Sequence, residues 1–549
     1  MSAPLPEPLF VTEPYWGSGK DGVLKVQHCR SCGALRMPPS AACRECRSSD
    51  LDFVEVSGKG VIVGVTVNHQ QWLPKMPAPY TLAIVALVED DRARITTRLV
   101  GFDETDARIG QYVRVTFEQV ADNVWLPLFE PDPARTGEAG PLPEPADLGP
   151  RIPAVHTGTK YEDAAVISGH GQSEVGRRLM RNPLGLTTEA CRLAVEDAGL
   201  TFDDIDGLST YPGSALTGGM SEGGIMALED ALGLHPTWVN GASETSGQLG
   251  AVQAAVLAVA SGLCRHVLVF RTVWQASESA LQRSGRALPP SGPARGMMEH
   301  TLPYGAASAA NWIALQASHY MHRYNVGRDA MGWLAVTART GAGLNPEAVY
   351  RDPLTFDDYM AARMISTPFG LYDCDTPVDG AVAFVVSAAD VAQDLPHPPI
   401  RFESIGSAVA ETLSWDQGTL NHMPQSQGPA KHLWTRTDLT TDDVDVALLY
   451  DGFTFNAVSW MEGLGFCGPG EAADFIDEGR TIAIDGPLPV NPHGGQLSAG
   501  RLHGFGFMRE AVIQLRGEAG DRQVPGSPRV AAVTAGGGIP SGAFLLRRD

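Results

Sequence analysis

The chain has 549 residues, 43% of them hydrophobic, and its 41 basic residues against 63 acidic ones leave a formal net charge of −22. That charge argues against nucleic acid as a partner, the apolar content excludes intrinsic disorder for most of the chain, and the length points to three or four domains. The longest nearly apolar stretch, 251–264, is interrupted by Gln253 and Ser261 and is shorter than the roughly 18 residues of a membrane span, and residues 1–16 lack the basic start and apolar run of a secretory leader, so a reducing cytoplasm is the expected compartment.

The first informative pattern is Cys29-x2-Cys32-x10-Cys43-x2-Cys46. Each Cys-x-x-Cys forms a knuckle that aims two thiolates at one ion, and two knuckles close a tetrahedral shell. Zinc suits that shell, with iron the alternative that the spacing leaves open. Four protein ligands leave no position for substrate, so the metal is expected to be structural. Short β-branched runs follow at 60–67 (GVIVGVTV), 80–87 (YTLAIVAL), 93–99 (ARITTRL) and 112–117 (YVRVTF), divided by Gly, Pro and Asp turns. They predict a small OB-like barrel that serves as a binding or docking module. From 130 to 153 the chain turns to Pro, Gly, Ala and acidic residues with almost nothing to pack, which reads as a linker.

Beyond 164, strands alternate with longer helices: a strand at 165–168, a helix at about 187–198, a small-residue helix at 247–262 and a strand at 266–270. The alternation predicts an α/β unit with parallel pairing. TFDDID at 201–206 recurs as TTDDVD at 440–445, each just before an apolar run, which suggests two homologous halves meeting near residue 395. The expected domains are therefore 1–135 (metal ribbon and barrel), 136–160 (linker), 161–395 (first half) and 396–549 (second half).

Ligands of open α/β sheets bind beyond the carboxyl ends of strands. This singles out Tyr450-Asp451-Gly452-Phe453 after an apolar strand, Asn491-Pro492-His493-Gly494-Gly495, Arg501-Leu502-His503-Gly504 and Thr534-Ala535-Gly536-Gly537-Gly538. The polar turn 240–247 could also place a nucleophile or an oxyanion at the start of the helix that follows. Each has a plain structural reading beside the functional one. Tyr450 could be an amphipathic core residue, His503 a hydrogen bonder at a helix start, and 536–538 a tight turn.

Taken in order, 164–174 (AAVISGHGQSE), Ile205-Asp206-Gly207, the Ser-Gly turn at Gly247, Asp379-Gly380-Ala381, the Asn491 to Gly495 motif and the three glycines after Ala535 resemble the thiolase superfamily, in particular its sterol-carrier-protein-X-like branch. Residues 14–135 resemble the zinc-ribbon/OB-fold family that accompanies acyl-CoA thiolase-like enzymes, with GQYVRVTF in place at 110–117. The resemblance implies an α/β thiolase-like fold of two duplicated halves in five αβαβα layers, preceded by a rubredoxin-like zinc ribbon and an OB-fold β-barrel.

The departures from the thiolase pattern carry the functional expectation. Glu244 stands where a thiolase has its acyl-accepting cysteine, Arg501 where it has the histidine of Gly-His-Pro, Thr534 at the second cysteine, and Tyr450 at the Asn or His of the Asn-Glu-Ala-Phe or His-Asp-Cys-Phe motif. Acyl transfer to CoA needs a covalent carrier, so thiolysis and Claisen condensation by the usual route are not expected. A retro-aldol cleavage of a β-hydroxyacyl-CoA needs none, and the resemblance is to steroid side-chain aldolases, which implies a ketone and propionyl-CoA as products from a 17-hydroxy C22 steroid thioester.

On that reading Tyr450 is the main acid/base, oriented by Asp451, and His503 is the second proton-transfer or oxyanion residue. Gly247, Gly537, Gly538 and Arg501 are expected against the CoA thioester, with Arg501 also easing ionisation of Tyr450. Tyr304 is a pocket residue, and Glu244 contributes acid/base chemistry or fills the vacated nucleophile site. Zinc at Cys29, Cys32, Cys43 and Cys46 and the CoA of the substrate are the implied cofactors. A second copy of the chain and the hydratase preceding it in the pathway are the implied protein partners. The alternatives are an acyl-CoA or lipid-binding scaffold without chemistry, and a thiolase-like acyltransferase, condensing enzyme or other carbon–carbon lyase.

Overall fold

The computed structural model describes residues 4–103, 106–144, 159–212, 224–286, 292–409, 423–537 and 541–549. Lys25–Cys29 (β1), Leu35–Arg36 (β2) and Leu51–Glu55 (β3) form an antiparallel sheet in the order β2-β1-β3. Each Cys-x-x-Cys knuckle is held by its own backbone: Gly33 N–H donates to Cys29 O and Arg47 N–H to Cys43 O, both at 2.8 Å.

The barrel consists of Lys59–Asn68 (β4), Tyr80–Leu87 (β5), Arg94–Arg98 (β6), Tyr112–Ala121 (β7) and Val124–Pro131 (β8). β4 pairs with β5 and β7, β5 with β6, and β7 with β8, while the Leu99–Phe129 bridge returns β6 to β8. β8 was hidden from a propensity reading by Pro127 and Pro131, residues that strands disfavour. The linker expected from 130 therefore starts later. Glu130 is in β8, and at 139–140 the chain still follows the barrel, with Ala139 bridging Gln111 and Gly140 N–H donating to Gly110 O at 2.8 Å. Most of the remaining linker, 145–158, lies outside the described residues.

The rest of the chain runs Ala165–Gln172 (β9), Pro183–Asp197 (α1), Gly207–Thr210 (β10), Trp238–Asn240 (β11), Gly250–Ala260 (α2), His266–Trp274 (β12), Ala309–Tyr324 (α3), Asp329–Leu344 (α4), Met364–Ser366 (β13), Phe369–Gly370 (β14) and Asp379–Ala388 (β15). It continues with Ile400–Gly406 (β16), Met423–Trp434 (α5), Val446–Leu448 (β17), Thr454–Leu464 (α6), Phe505–Arg516 (α7), Val530–Ala535 (β18) and Gly542–Arg547 (β19). The strand order β11-β10-β12-β15-β9-β16-β19-β18-β17 shows the duplication. In the first half β10 is parallel to β12, which is antiparallel to β15, which is antiparallel to β9; β17, β18, β19 and β16 repeat this on the other side. The two halves join where β16 meets β9. The repeated hexapeptide has one structure in both places: Thr201 and Thr440 each cap a short turn, their N–H donating to Asp204 and Asp443 at 2.8 Å, and each turn leads into a strand of its half.

The layering follows from strand periodicity. On β15, Ala381, Ala383 and Val385 pack with α1, whereas Val382, Phe384 and Val386 face the core that holds α2 and α7. Both faces are covered, which is why β15 reads as an unbroken apolar run. α1 comes so close to β9 that a Cβ at Gly169 or Gly171 would lie 2.3 Å from a helix carbonyl oxygen. α7 touches strands of both halves and is buried along nearly its whole length, its one buried acid, Glu510, being paired with Arg522 at 3.0 Å. The body and the barrel share a sheet, because β13 pairs with the far end of β4. Among the described residues no helix is long and apolar enough to cross a membrane.

Candidate active site

Tyr450 follows β17 and is buried. Its backbone N–H donates to Thr534 Oγ1 at 2.7 Å, so the side chain at the position of the second thiolase cysteine clamps the residue that replaces the motif Asn or His. Asn491 grips the preceding residue from both sides: Leu449 N–H donates to Asn491 Oδ1 at 2.9 Å, and Asn491 Nδ2 donates to Leu449 O at 2.8 Å. The ring lies between two glycines, where a Cβ at Gly452 or Gly537 would approach its Cε1 to 2.7 and 2.8 Å, and it packs against Phe507 at 6.1 Å. Burial pushes the phenol up to about 12, against the pull of Arg501.

Asp451 makes its hydrogen bonds with the neighbouring loops. Its Oδ1 accepts from Gln496 N–H at 2.7 Å and its Oδ2 from Asn491 Nδ2 at 3.1 Å, so it locks the loop that carries Gln496. Burial pushes the carboxyl up to about 8, although both donors favour its charged form. The expectation that Asp451 orients Tyr450 directly is thus replaced by an indirect route through Asn491 and Gln496.

His503 sits at φ +51° with its N–H donating to Gln496 Oε1 at 2.9 Å. Arg501 Nε approaches its Nε2 at 2.7 Å and Arg271 Nη2 its Nδ1 at 2.9 Å. A neutral imidazole has one lone-pair nitrogen, so only one of these contacts is a full hydrogen bond in either tautomer. Burial first, then the two guanidinium groups, hold the ring far below its ordinary pKa, and it is neutral at physiological pH. His503 therefore spaces and orients two cations and carries no proton to donate from a charged ring. Arg501 also reaches Asp375 at 3.2 Å, and burial raises that carboxyl against the arginine's pull.

Three side chains of this cluster were not singled out as site residues by the sequence reading. Arg271, on β12, is 1% exposed, is pushed down to about 10 by burial, lies 5.1 Å from the Tyr211 ring centroid and hydrogen-bonds Tyr211 O. Among the described residues neither its Nε nor Gln496 Nε2 has a hydrogen-bond partner by distance and angle, and Gln496 is placed near enough to Tyr450 to favour its ionised form. Asp375 is the third. Two buried donors beside a phenol and two guanidinium groups suit an oxygen acquiring negative charge. The available signal was an arginine inside an otherwise buried strand, HVLVFRTVW, a position that burial makes costly for a charge.

Other expected residues lie elsewhere. Tyr304 belongs to the barrel core, its hydroxyl 3.3 Å from that of Tyr15 at the seam between barrel and body, because the turn closed by Gly305 points it there. Glu244 is exposed and, among the described residues, takes part in no hydrogen bond or ion pair with the cluster. Gly247, at φ +69°, turns the chain before α2, which starts at Gly250; its N–H already donates to Thr245 O at 2.8 Å, and a Cβ would meet Ala535 O at 2.9 Å. Gly537 touches Tyr450 and fixes Asn456, whose Nδ2 donates to its carbonyl at 2.7 Å; Gly538 lies outside the described residues. Cys374, whose backbone bridges Phe453, points its thiol at Gly370 O at 3.6 Å and is kept protonated by burial.

The four clustered cysteines fit a tetrahedral metal. Their sulfurs lie within 4.8 Å of one another, with Cys29 to Cys46 at 3.5 Å and Cys32 to Cys43 at 3.7 Å. Zinc–sulfur bonds of about 2.3 Å imply edges of about 3.8 Å.

Residues 16–52 match the family described as "ChsH2, rubredoxin-like zinc ribbon domain", 53–118 "ChsH2, C-terminal OB-fold domain", and 418–546 "Thiolase C-terminal domain-like". A "Steroid side-chain-cleaving aldolase" of Thermomonospora curvata is 34% identical over 70% of this chain and 98% of its own length. A "17-hydroxy-3-oxo-4-pregnene-20-carboxyl-CoA lyase" of Mycobacterium tuberculosis is 35% identical over the same shares. The solved "Ltp2-ChsH2(DUF35) aldolase" superposes with a TM-score of 0.63 at 32% identity, covering 70% of this chain and 98% of that one. A thiolase-like body without a cysteine in its buried cluster, preceded by a zinc ribbon and OB-fold barrel, and relatives that match over nearly their full length agree: the chain belongs to the steroid side-chain aldolases of the thiolase superfamily.

Proposed function

We propose that this protein is a carbon–carbon lyase that cleaves a β-hydroxyacyl-CoA, a steroid side-chain thioester, by a retro-aldol reaction into a ketone and a shorter acyl-CoA such as propionyl-CoA. The observation that carries the reading is the buried cluster of Tyr450, Arg271, Arg501, His503 and Gln496, which offers a proton, positive charge and two buried donors but no thiol. As the Cα–Cβ bond breaks, the β-hydroxyl loses its proton and its oxygen becomes the ketone carbonyl; the bonding pair builds enolate charge on the thioester and is taken up by a proton that reaches Cα in the same step, which gives the short acyl-CoA. The net change is one proton moved from oxygen to carbon.

A phenol pushed up to about 12 is ionised in only about one molecule in 10⁵ at pH 7. Tyr450 acts instead as a shuttle, giving its own proton towards Cα while its oxygen takes the one from the substrate hydroxyl. No free phenolate is needed. Arg271 Nε and Gln496 Nε2 stabilise the enolate charge that develops on the thioester oxygen during that step. Zinc at the four cysteines holds the ribbon together when bound and stays outside the chemistry.

Hydration of an α,β-unsaturated acyl-CoA would supply the β-hydroxyl, and association with such a hydratase belongs to the same reading, as does a cytoplasmic setting. Dimerisation through the end strand β11 is supported by the exposure of Val239 (50%), Leu257 (46%) and Leu263 (57%) near that edge and by the exposed turn at Ser243. Sedimentation showing an active monomer would refute it. The activity itself is tested by incubating the protein with a panel of β-hydroxyacyl-CoAs that includes a 17-hydroxy steroid C22 thioester. Ketone and short acyl-CoA should appear in equal amounts, and intact thioester throughout the panel would refute the proposal.

A further inference from the structure

The barrel docks on the body along α3, where Val65 N–H donates to Ser318 Oγ at 3.1 Å and His319 Nδ1 lies 2.8 Å from Val63 O, and along two further seams. One joins Trp16 Nε1 to Glu299 at 2.7 Å, stacks Trp16 on His300 at 5.2 Å and joins Tyr80 Oη to Gly305 O at 2.7 Å. Among the described residues it touches no member of the Tyr450 cluster. The other is the pairing of β4 with β13. Ser366 stands opposite Asn68, Thr367 N–H donates to Val67 O at 3.0 Å, and Val67 N–H donates to Thr367 Oγ1 at 2.8 Å.

From this second seam the chain goes straight to the site. Phe369 stacks on Phe453 at 5.3 Å with the rings 15° from parallel. Asp373, 0% exposed, accepts from Gly370 N–H, Arg328, Tyr359 Oη and Thr454 Oγ1 at 2.7, 3.0, 2.6 and 2.6 Å, which ties the end of the hairpin to the first residue of α6. Cys374 bridges Phe453, Asp375 N–H donates to Gly452 O at 3.0 Å, and Thr376 bonds both Gln496 O and Arg501 N–H at 3.0 Å. Thirteen residues, 364–376, thus begin on a barrel strand and end on the backbone of the Tyr450, Gln496 and Arg501 loops.

We propose that this segment is a strut through which the docked barrel sets the geometry of the Tyr450 loop, with Phe369 and Asp373 as positioning residues. The proposal rests on the reading of Tyr450 as the proton-transfer residue. Its physical content is a chain of buried contacts and strand pairing without a soft link, the kind of connection that carries coupling between distant parts of a fold. The barrel is then a component of the catalytic centre rather than an accessory binding module.

The test compares two ways of loosening the same barrel in the full chain. Phe369→Leu breaks the strut and Trp16→Phe breaks the other seam. Hydrogen–deuterium exchange over residues 449–456 should speed up by about fivefold in Phe369→Leu and stay at the parent rate in Trp16→Phe. On a thioester that the parent cleaves, kcat of Phe369→Leu should fall by about tenfold with KM within about twofold, while Trp16→Phe keeps both. If Phe369→Leu fails to fold, Thr367→Val loosens the barrel end of the strut, and Thr367→Ser, which keeps the hydroxyl, should restore the parent values. Equal exchange in the two variants, or faster exchange with unchanged kcat, overturns the strut. A parent that cleaves no thioester defeats the proposed activity and leaves the exchange comparison to decide the strut.

Discussion

Tyr450→Phe removes one oxygen from the centre of the cluster and leaves the ring where Phe507, Gly452 and Gly537 hold it. The backbone clamp from Thr534 does not involve the side chain and is kept, so Tm should move by no more than about 3 °C. What is lost is the shuttle. His503 is held neutral, and Asp451 is engaged by Gln496 N–H and Asn491, and Asp375 by Arg501, so none of the three is placed to replace the phenol at once. The loss should be the full contribution of a positioned acid/base, about 10²–10⁴-fold in kcat, or about 3–5 kcal/mol of transition-state stabilisation. If the phenol acts only in the transition state, KM should change little and the effect should appear in kcat. The assay is release of ketone and short acyl-CoA at saturating thioester, with KM from the same titration. Retention of more than about a third of the parent kcat would move proton transfer to another residue and end this mechanism.

The carboxyl of Asp451 has its folded pKa raised to about 8, so its contribution to stability is present at low pH and lost as the pH rises through about 8. Asp451→Asn cannot ionise; relative to the parent it should gain stability between about pH 4 and about pH 8, read as a widening Tm difference, and a difference constant with pH would refute the assignment. Metal analysis should give about one zinc per chain, and Cys43→Ser should lose it and destabilise the ribbon; a metal that exchanges its ligand water during turnover would contradict a closed four-thiolate shell. No acyl-enzyme should accumulate, because Glu244 is exposed and Cys374 points at a carbonyl. Detection of a substrate-derived adduct on any cysteine by intact mass would refute the retro-aldol reading.

Local signals in the sequence located much of this architecture. Cysteine spacing located the ribbon, β-branched runs located four of the five barrel strands, and the repeated TFDDID and TTDDVD marked equivalent turns in both halves. Tyr450 and His503 were legible because they fall at strand ends and loop starts. Arg271 was not, since it sits in mid-strand and becomes a site residue only when β12 is packed so that its head reaches His503 across 232 residues of sequence. Tyr304 was misplaced for the converse reason. A Pro-Tyr-Gly turn shows where a side chain leaves the backbone, while the partner that receives it, Tyr15, lies 289 residues away. Asp451 and Gln496 illustrate the same limit: the acidic residue next to a catalytic candidate works on a loop 45 residues further on.

The pairing of β4 with β13 also bears on how the chain is made. Thr66 and its partner Ser366 are 300 residues apart, so the barrel is synthesised long before the strand that completes its sheet. At about 5–20 residues per second the end of β4 waits roughly 15–60 s on the ribosome with one row of backbone donors and acceptors unmatched. An open strand edge is a template for pairing with other chains, and a nascent barrel beside its neighbours on a polysome is exposed to that error. The net charge of −22 works against such pairing, by holding copies of the chain apart until the body arrives.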